Sequence, residues 1–368
     1  MQALQPLRGD DLQALRADPP RDEHGELRPW TLGHVILADH RLEQAVEHRG
    51  LTLHDSSFRG VSWSGAVVLR GSLLRDMGFD QVAFTGLRFE DVVFERCQFD
   101  TLQLTDCTFV RCRFIGGGLT LLTASRCSFI DTRFEDVAGD TWTLRDCTLT
   151  GTSFRDCTLL APRLSKCTID RLQLVGGGVH SGEFTLTQAA SLQLTGLALR
   201  GLRLLGGEYQ AIALVQVDGD DLTLTNARVG ALTLERCPIF VAPRILDSNL
   251  RALAVDDCPQ VMALTVQGSE LGHLAVRRSS LQHASLVGVR ASGPLLAEDC
   301  ALVGLVVREG SWQTATLERC TLAGYIAVDH TRFTAVQTPG LVEAEGLQHQ
   351  LDGRPATSAT FWGAIHGP

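Results

Sequence analysis

Residues 94–114 read FERCQFDTLQLTDCTFVRCRF, and the reading of this stretch decides the fold. A large apolar residue returns at every fifth position: Phe94, Phe99, Leu104, Phe109, Phe114. The series extends back to Phe84 and Phe89. It runs forward through Leu119, Phe129, Phe134, Leu144, Leu149, Phe154 and Leu159, and continues as far as Leu234 and Ile239. Its interruptions are small residues, Ala124, Gly139, Ala189 and Gly219. A period of five is neither the 3.6 of an amphipathic helix nor the 2 of a flat strand. It is a repeat sustained over most of the chain, and it sets the frame for every other residue.

Cysteine obeys that frame. Cys97, Cys107, Cys112, Cys127, Cys147, Cys157, Cys167 and Cys237 each stand two residues before a member of the series. Leu302 and Leu322 likewise follow Cys300 and Cys320, and Cys258 precedes position 260, where the series would next fall. One repeat slot therefore takes all eleven cysteines, which reads as a small inward residue rather than a disulfide framework or a metal knuckle.

Composition narrows the function classes. The chain has 368 residues, 44% hydrophobic and 20% charged, which excludes a disordered polyelectrolyte. Its net charge of -9 gives no electrostatic basis for holding nucleic-acid phosphates. Of 33 basic residues only Lys166 is a lysine, and it follows Ser165, so a phosphate-binding P-loop is excluded. No apolar run approaches the ~20 residues of a membrane span, and the N-terminus lacks a signal peptide's apolar core, so a cytoplasmic location is expected.

The motif written in ERCQF, TDCTF, SRCSF, RDCTL and ERCTL resembles that of the pentapeptide-repeat family. The resemblance covers roughly residues 51–335 and departs from the family's usual alanine by using Cys and Thr in the small slot. It implies an all-β solenoid, a right-handed quadrilateral β-helix with one pentapeptide per face and four per coil. Residues twenty apart should then stack. They form like-over-like ladders: Phe94, Phe114, Phe134, Phe154, Leu174, Leu194, Leu214, Leu234 on one face, and Cys107, Cys127, Cys147, Cys167 in the small slot. Gly116–Gly118 and Gly176–Gly178 fall at one corner, three coils apart, where the turn needs torsions that glycine adopts cheaply. One-residue phase slips precede Leu69, fall between Ile239 and Leu250 across FVAPRILDSN, and recur near Val261, Leu302 and Val328, with Leu296 read as inward. About 14 coils are expected over 51–335.

Residues 1–50 read as a small α/β cap: a helical DDLQALRA, a strand-like TLGHVIL and a helical HRLEQAVEHR. Residues 336–368 read as a C-terminal tail that folds over the last coil or docks on a partner through Phe361 and Trp362.

No catalytic residue, metal or cofactor is expected. His24, His34, His40, His48 and His54, with Glu43 or Glu47, are the one metal candidate, and they lack paired ligand spacing. His180 beside Ser181 lacks the context of a catalytic dyad. The expected function is a non-catalytic, rigid protein-binding scaffold or adaptor with protein partners, which allows a homo-oligomer. The texture of FERCQF and FVRCRF is similar to that of pentapeptide-repeat proteins accompanying bacterial type VI secretion. The alternative that the family implies is a DNA mimic that binds a type II topoisomerase such as gyrase. Against it stand outward positions of mixed sign, such as Glu95, Arg96, Arg113, Arg133, Glu135 and Asp136.

Overall fold

A computed structural model describes residues 5, 6, 21, 23–26, 29–33, 35–44 and 46–366. The chain is built of two units, residues 1–182 and 183–368, which together carry about 16 turns of β-solenoid. In both units short strands pair in parallel with the strand one coil on. Phe94 pairs with Phe114, Phe114 with Phe134, Phe134 with Phe154 and Phe154 with Leu174 in the first unit. Leu194 pairs with Leu214 and Leu214 with Leu234 in the second. The offset of twenty makes four five-residue faces per coil.

Along each strand, burial alternates so that the member of the five-residue series and the residue two before it point inward. The phenylalanines of the first unit stack face over face. Centroids are 4.4 Å apart for Phe94–Phe114 and 4.6 Å for both Phe114–Phe134 and Phe134–Phe154, with planes within 11° of parallel. Coil spacing (~4.8 Å) fixes that distance, and identical rings fill it without a void. Two of the small exceptions are fillers in disguise. A Cβ on Gly139 would lie 2.3 Å from the Trp142 indole nitrogen, and one on Gly219 would lie 2.1 Å from the Phe240 ring. Each ring occupies the space its glycine vacates.

The chain turns from face to face at the second residue after each inward one. That residue repeatedly adopts the left-handed region, as in Asp76, Asp91, Arg96, Asp106, Arg111 and Arg126, with φ between 51° and 54°. Aspartate tolerates this conformation better than most residues. At the expected glycine corner, Gly117 has φ of 93°, and a Cβ there would lie 2.1 Å from the Cys97 carbonyl oxygen.

Several sequence expectations change. The solenoid includes residues before 51: strands Trp30–Gly33, Val35–Ala38, Arg41–Gln44 and Glu47–Arg49 pair in parallel with residues 51–70 at an offset of 21, and Gln5–Pro6 pairs in parallel with Val35–Ile36. Within HRLEQAVEHR, Arg41–Gln44 and Glu47–Arg49 are thus strands and not helix, because Leu42 and His48 are inward and the next coil supplies backbone partners. The helical reading of DDLQALRA lies outside the described residues. At the far end, Val342–Glu343 and Gln348–Leu351 pair with Thr321–Asp329, and these extra turns account for the coil count above 14. Ile239 is 43% exposed and Phe240 takes the inward place, since the inserted residue falls after Cys237 in Cys-Pro-Ile-Phe. The same insertion follows Cys258 in Cys-Pro-Gln-Val, making Val261 inward. Leu296 is outward, flanked by buried Leu295 and Ala297.

Phe134→Asp places an unpaired charge between two stacked rings and is expected to unfold several coils. Phe134→Ala alone should cost about 3–5 kcal/mol. Thr148→Asp, at an exposed position, should leave the thermal transition nearly unmoved. Equal melting of the two aspartate variants by circular dichroism would overturn the register.

Candidate functional site

All eleven cysteines are buried and free, including the column Cys107, Cys127, Cys147 and Cys167. The slot is more than small. The Cys97, Cys107, Cys157 and Cys167 thiols donate to carbonyl oxygens of Leu74, Phe84, Phe134 and Leu144 one coil back, at 3.3–3.4 Å. The hydroxyls of Thr132 and Thr152 do the same to Phe109 and Phe129 at 3.3 and 3.1 Å. Ser56, Ser72, Thr187, Ser248, Ser269 and Ser279 are buried in equivalent slots. A short side chain with one donor therefore suits this position, which explains why Cys, Ser and Thr interchange there. Burial pushes the Cys97 and Cys112 thiols up to about 12, so they are poor nucleophiles.

Several outward charges are paired across coils. Arg96 clasps Asp76 through two bonds of 2.7 Å, Arg111 clasps Asp91 likewise, and Arg126 holds Asp106 at 2.7 and 2.8 Å. Arg319 repeats the arrangement on Asp299. These hydrogen bonds hold all four carboxyls below their usual range. Arg75–Glu95 and Arg70–Glu90 add pairs at 2.8 Å between neighbouring coils.

One face of the second unit differs. Its inward residues are Phe240, Val261, Leu281, Leu302 and Leu322, in register from coil to coil. The outward positions around them include Ile239, Val241, Met262, Val303 and Tyr325 and hold no Asp, Glu, Lys or Arg across five successive coils. Ile239 and Tyr325 are 43% and 39% exposed. The Tyr325 ring lies over Gly304 toward His283, centroids 6.3 Å apart.

The remaining sequence candidates disperse. Helix α1 (Ser358–His366), N-capped by the Thr357 hydroxyl on the Thr360 amide, packs on the last strands. Phe361 is fully buried against His349, so it belongs to a seal and not to a free docking surface, a correction to the sequence reading. Trp362 is half-buried, its Nε1 donating to Glu343 at 2.5 Å; His349 and Ser358 hold the same carboxylate. Of the N-terminal histidines, His34 lies outside the described residues. His54 meets Asp55, His24 lies near Glu23, and His48 is fully buried beside Trp30 with neither ring nitrogen bonded. Among the described residues no three His, Cys, Asp or Glu converge as metal ligands, and no helix is long and apolar enough to cross a membrane.

Two measurements test these placements. The folded chain should resist thiol alkylation, and denaturation without reductant should release eleven reactive thiols; oxidised pairs would overturn the buried-donor role. For His48, burial lowers the folded value below the 6.5 of the unfolded imidazole. Between those values the unfolded chain binds more protons, so stability rises with pH there and falls as pH drops below about 6.5. His48→Leu should therefore lose less melting temperature between pH 7.5 and 5.5 than the parent, and equal losses would overturn this.

No family model matches the sequence, and no curated protein matches it. Two solved structures resemble it. One is HetL, a pentapeptide repeat protein involved in heterocyst differentiation regulation from the cyanobacterium Nostoc sp. strain PCC 7120. It is 10% identical, with 85% of this chain and 92% of that chain covered and a TM-score of 0.22. The other is tailspike protein 3 of bacteriophage CBA120, also 10% identical, with 92% of this chain and 55% of that one covered and a TM-score of 0.18. Likenesses at this level say nothing of activity or partners. The five-residue faces, four to a coil, the inward pair on each face and the twenty-residue parallel register are properties of this chain itself. By that geometry it is a pentapeptide-repeat β-helix.

Proposed function

We propose that the chain is a non-catalytic, rigid protein-binding scaffold. The observation that carries this reading is the face from Ile239 to Tyr325, an uncharged strip over five coils in a chain where 20% of residues are charged. Depletion of charge with exposed Ile239 and Tyr325 beside half-buried Val241, Met262 and Val303 is the composition of a protein-contact core. It is unsuited to nucleic acid, which demands cations. A gyrase-directed DNA mimic needs free carboxylates in place of phosphates, whereas Asp76, Asp91, Asp106 and Asp299 are clasped by arginine. An accessory role in type VI secretion rests on repeat texture alone.

The test is affinity capture from the native host with the full chain as bait, beside Ile239→Asp and Tyr325→Asp variants. Protein prey that survives nuclease treatment and is lost from both variants is expected. Prey retained equally by the variants would overturn the assignment of this face. Supercoiling by purified gyrase should be unaffected by micromolar excess of the chain; inhibition or protection would favour the mimic.

A further inference from the structure

A different face of the second unit carries an open groove. Its inward residues are Tyr209, Val229, Leu250, Leu271 and Ala291, stacked coil on coil. Two cavities of about 540 and 410 Å³ follow one another along it and share Asn249 and Arg251 in their linings. The groove exists because the position after the inward residue is glycine in alternate coils. A Cβ on Gly230 would lie 2.3 Å from the Gln210 carbonyl oxygen, and one on Gly272 would lie 2.0 Å from that of Arg251. No side chain fits at those two positions, so the floor there is bare backbone.

The wall is the register column Glu208, Arg228, Asn249, Glu270, Arg290. Two members neutralise each other, since Arg228 pairs with Glu208 at 2.9 Å. Glu270 accepts from the Asn249 side-chain amide at 2.7 Å. Arg251 and Arg290 are exposed and have no ion-pair partner among the described residues. Arg290 belongs to the wall column, whereas Arg251 lies two positions along the strand, across the inward residue, so the two flank the groove from opposite sides, two coils (about 9.6 Å at ~4.8 Å per coil) apart along the axis. A polyproline II segment laid along the groove repeats its side-chain direction every three residues, about 9.3 Å. With one guanidinium reaching in from each side, carboxylates three residues apart would each meet one of them at this axial spacing. Glu270, between the two arginines, repels acidic residues at the intervening positions and so selects neutral ones.

We propose that this groove binds an extended, polyproline-like peptide of a partner protein with acidic residues at every third position. The proposal rests on the scaffold reading but uses a separate face, so the two can fail separately.

The probe is a fluorescein-labelled Glu-Pro-Pro-Glu-Pro-Pro-Glu peptide titrated against the full chain by anisotropy. Comparison ligands are the Gln-for-Glu peptide, a block peptide with its glutamates adjacent, and a labelled oligothymidine. Saturable binding of the first peptide is expected, weakened at least tenfold by Gln-for-Glu replacement and by Arg251→Gln or Arg290→Gln, with unchanged melting of both variants. Three results would overturn the proposal: no binding, affinity indifferent to both arginines, or equal binding of the block peptide or oligothymidine, which would make the groove a generic anion patch. Capture of host prey by an Arg251→Gln/Arg290→Gln double variant alongside failed peptide binding would leave the scaffold reading intact.

Discussion

The constraint on which everything else depends is the backbone hydrogen bond from one coil to the next. Each turn amide donates to a carbonyl on the following coil, as Asp76 does to Glu95 and Asp106 to Ser125, at 2.9 and 3.0 Å. Once these bonds form, residue i lies over residue i+20, and every side chain inherits its neighbour from the register rather than from its own preference. A phenylalanine must then be stacked on something of its own width, and a turn residue must accept a positive φ. The composition follows. Phenylalanine outnumbers tyrosine, 15 to 2, because a stacked ring has no room for a hydroxyl partner. Tyr209, the one buried tyrosine among the described residues, has a hydroxyl with no hydrogen bond.

The same constraint decided how much was legible. Periodicity exposed the inward ladder and the cysteine slot, because a solenoid writes its neighbours into the sequence at fixed spacing. Two kinds of feature escaped it. At the slips, periodicity placed Ile239 inward, but Cys-Pro-Ile-Phe inserts its extra residue after the slot; the recurrence of Cys-Pro at 258–259 was the available signal. In HRLEQAVEHR, Leu42 and Val46, four apart, imitate a helix. Only the presence of a following coil with matching bonds makes strand the better solution. The donor role of the slot thiols was equally hidden, although Ser56, Ser72, Thr132 and Thr152 occupy it in the same sequence.

Surfaces were harder to read than the interior, for a physical reason. Inward positions are each constrained by close packing, whereas an outward position matters only through what lies beside it one coil away. The uncharged strip from Ile239 to Tyr325 becomes visible only when positions 20 or 21 apart are aligned after the slips are placed correctly. The groove around Arg251 depends on Gly230 and Gly272, whose spacing carries no meaning until both are seen to share one column.

The register also gives arginine a use at the turns that lysine lacks. A left-handed turn residue projects outward directly over its counterpart one coil back. A guanidinium there presents two parallel donors to a carboxylate, as in Arg96–Asp76 and Arg126–Asp106. An ammonium presents a point charge with no matching fork. Lys166 follows Asp146 in the same turn column in which Arg126 follows Asp106, and no ion pair joins Lys166 to a described residue. The two sites share spacing and turn conformation, but Asp146 meets Arg145 at 3.4 Å instead of Lys166. One such exposed pair contributes little to stability, since solvent and salt screen it. Repeated along successive coils, the clasps occupy acidic groups that a carboxylate-presenting surface would need free. At these turns the register favours arginine over lysine, and it leaves recognition to the places where the pairing lapses.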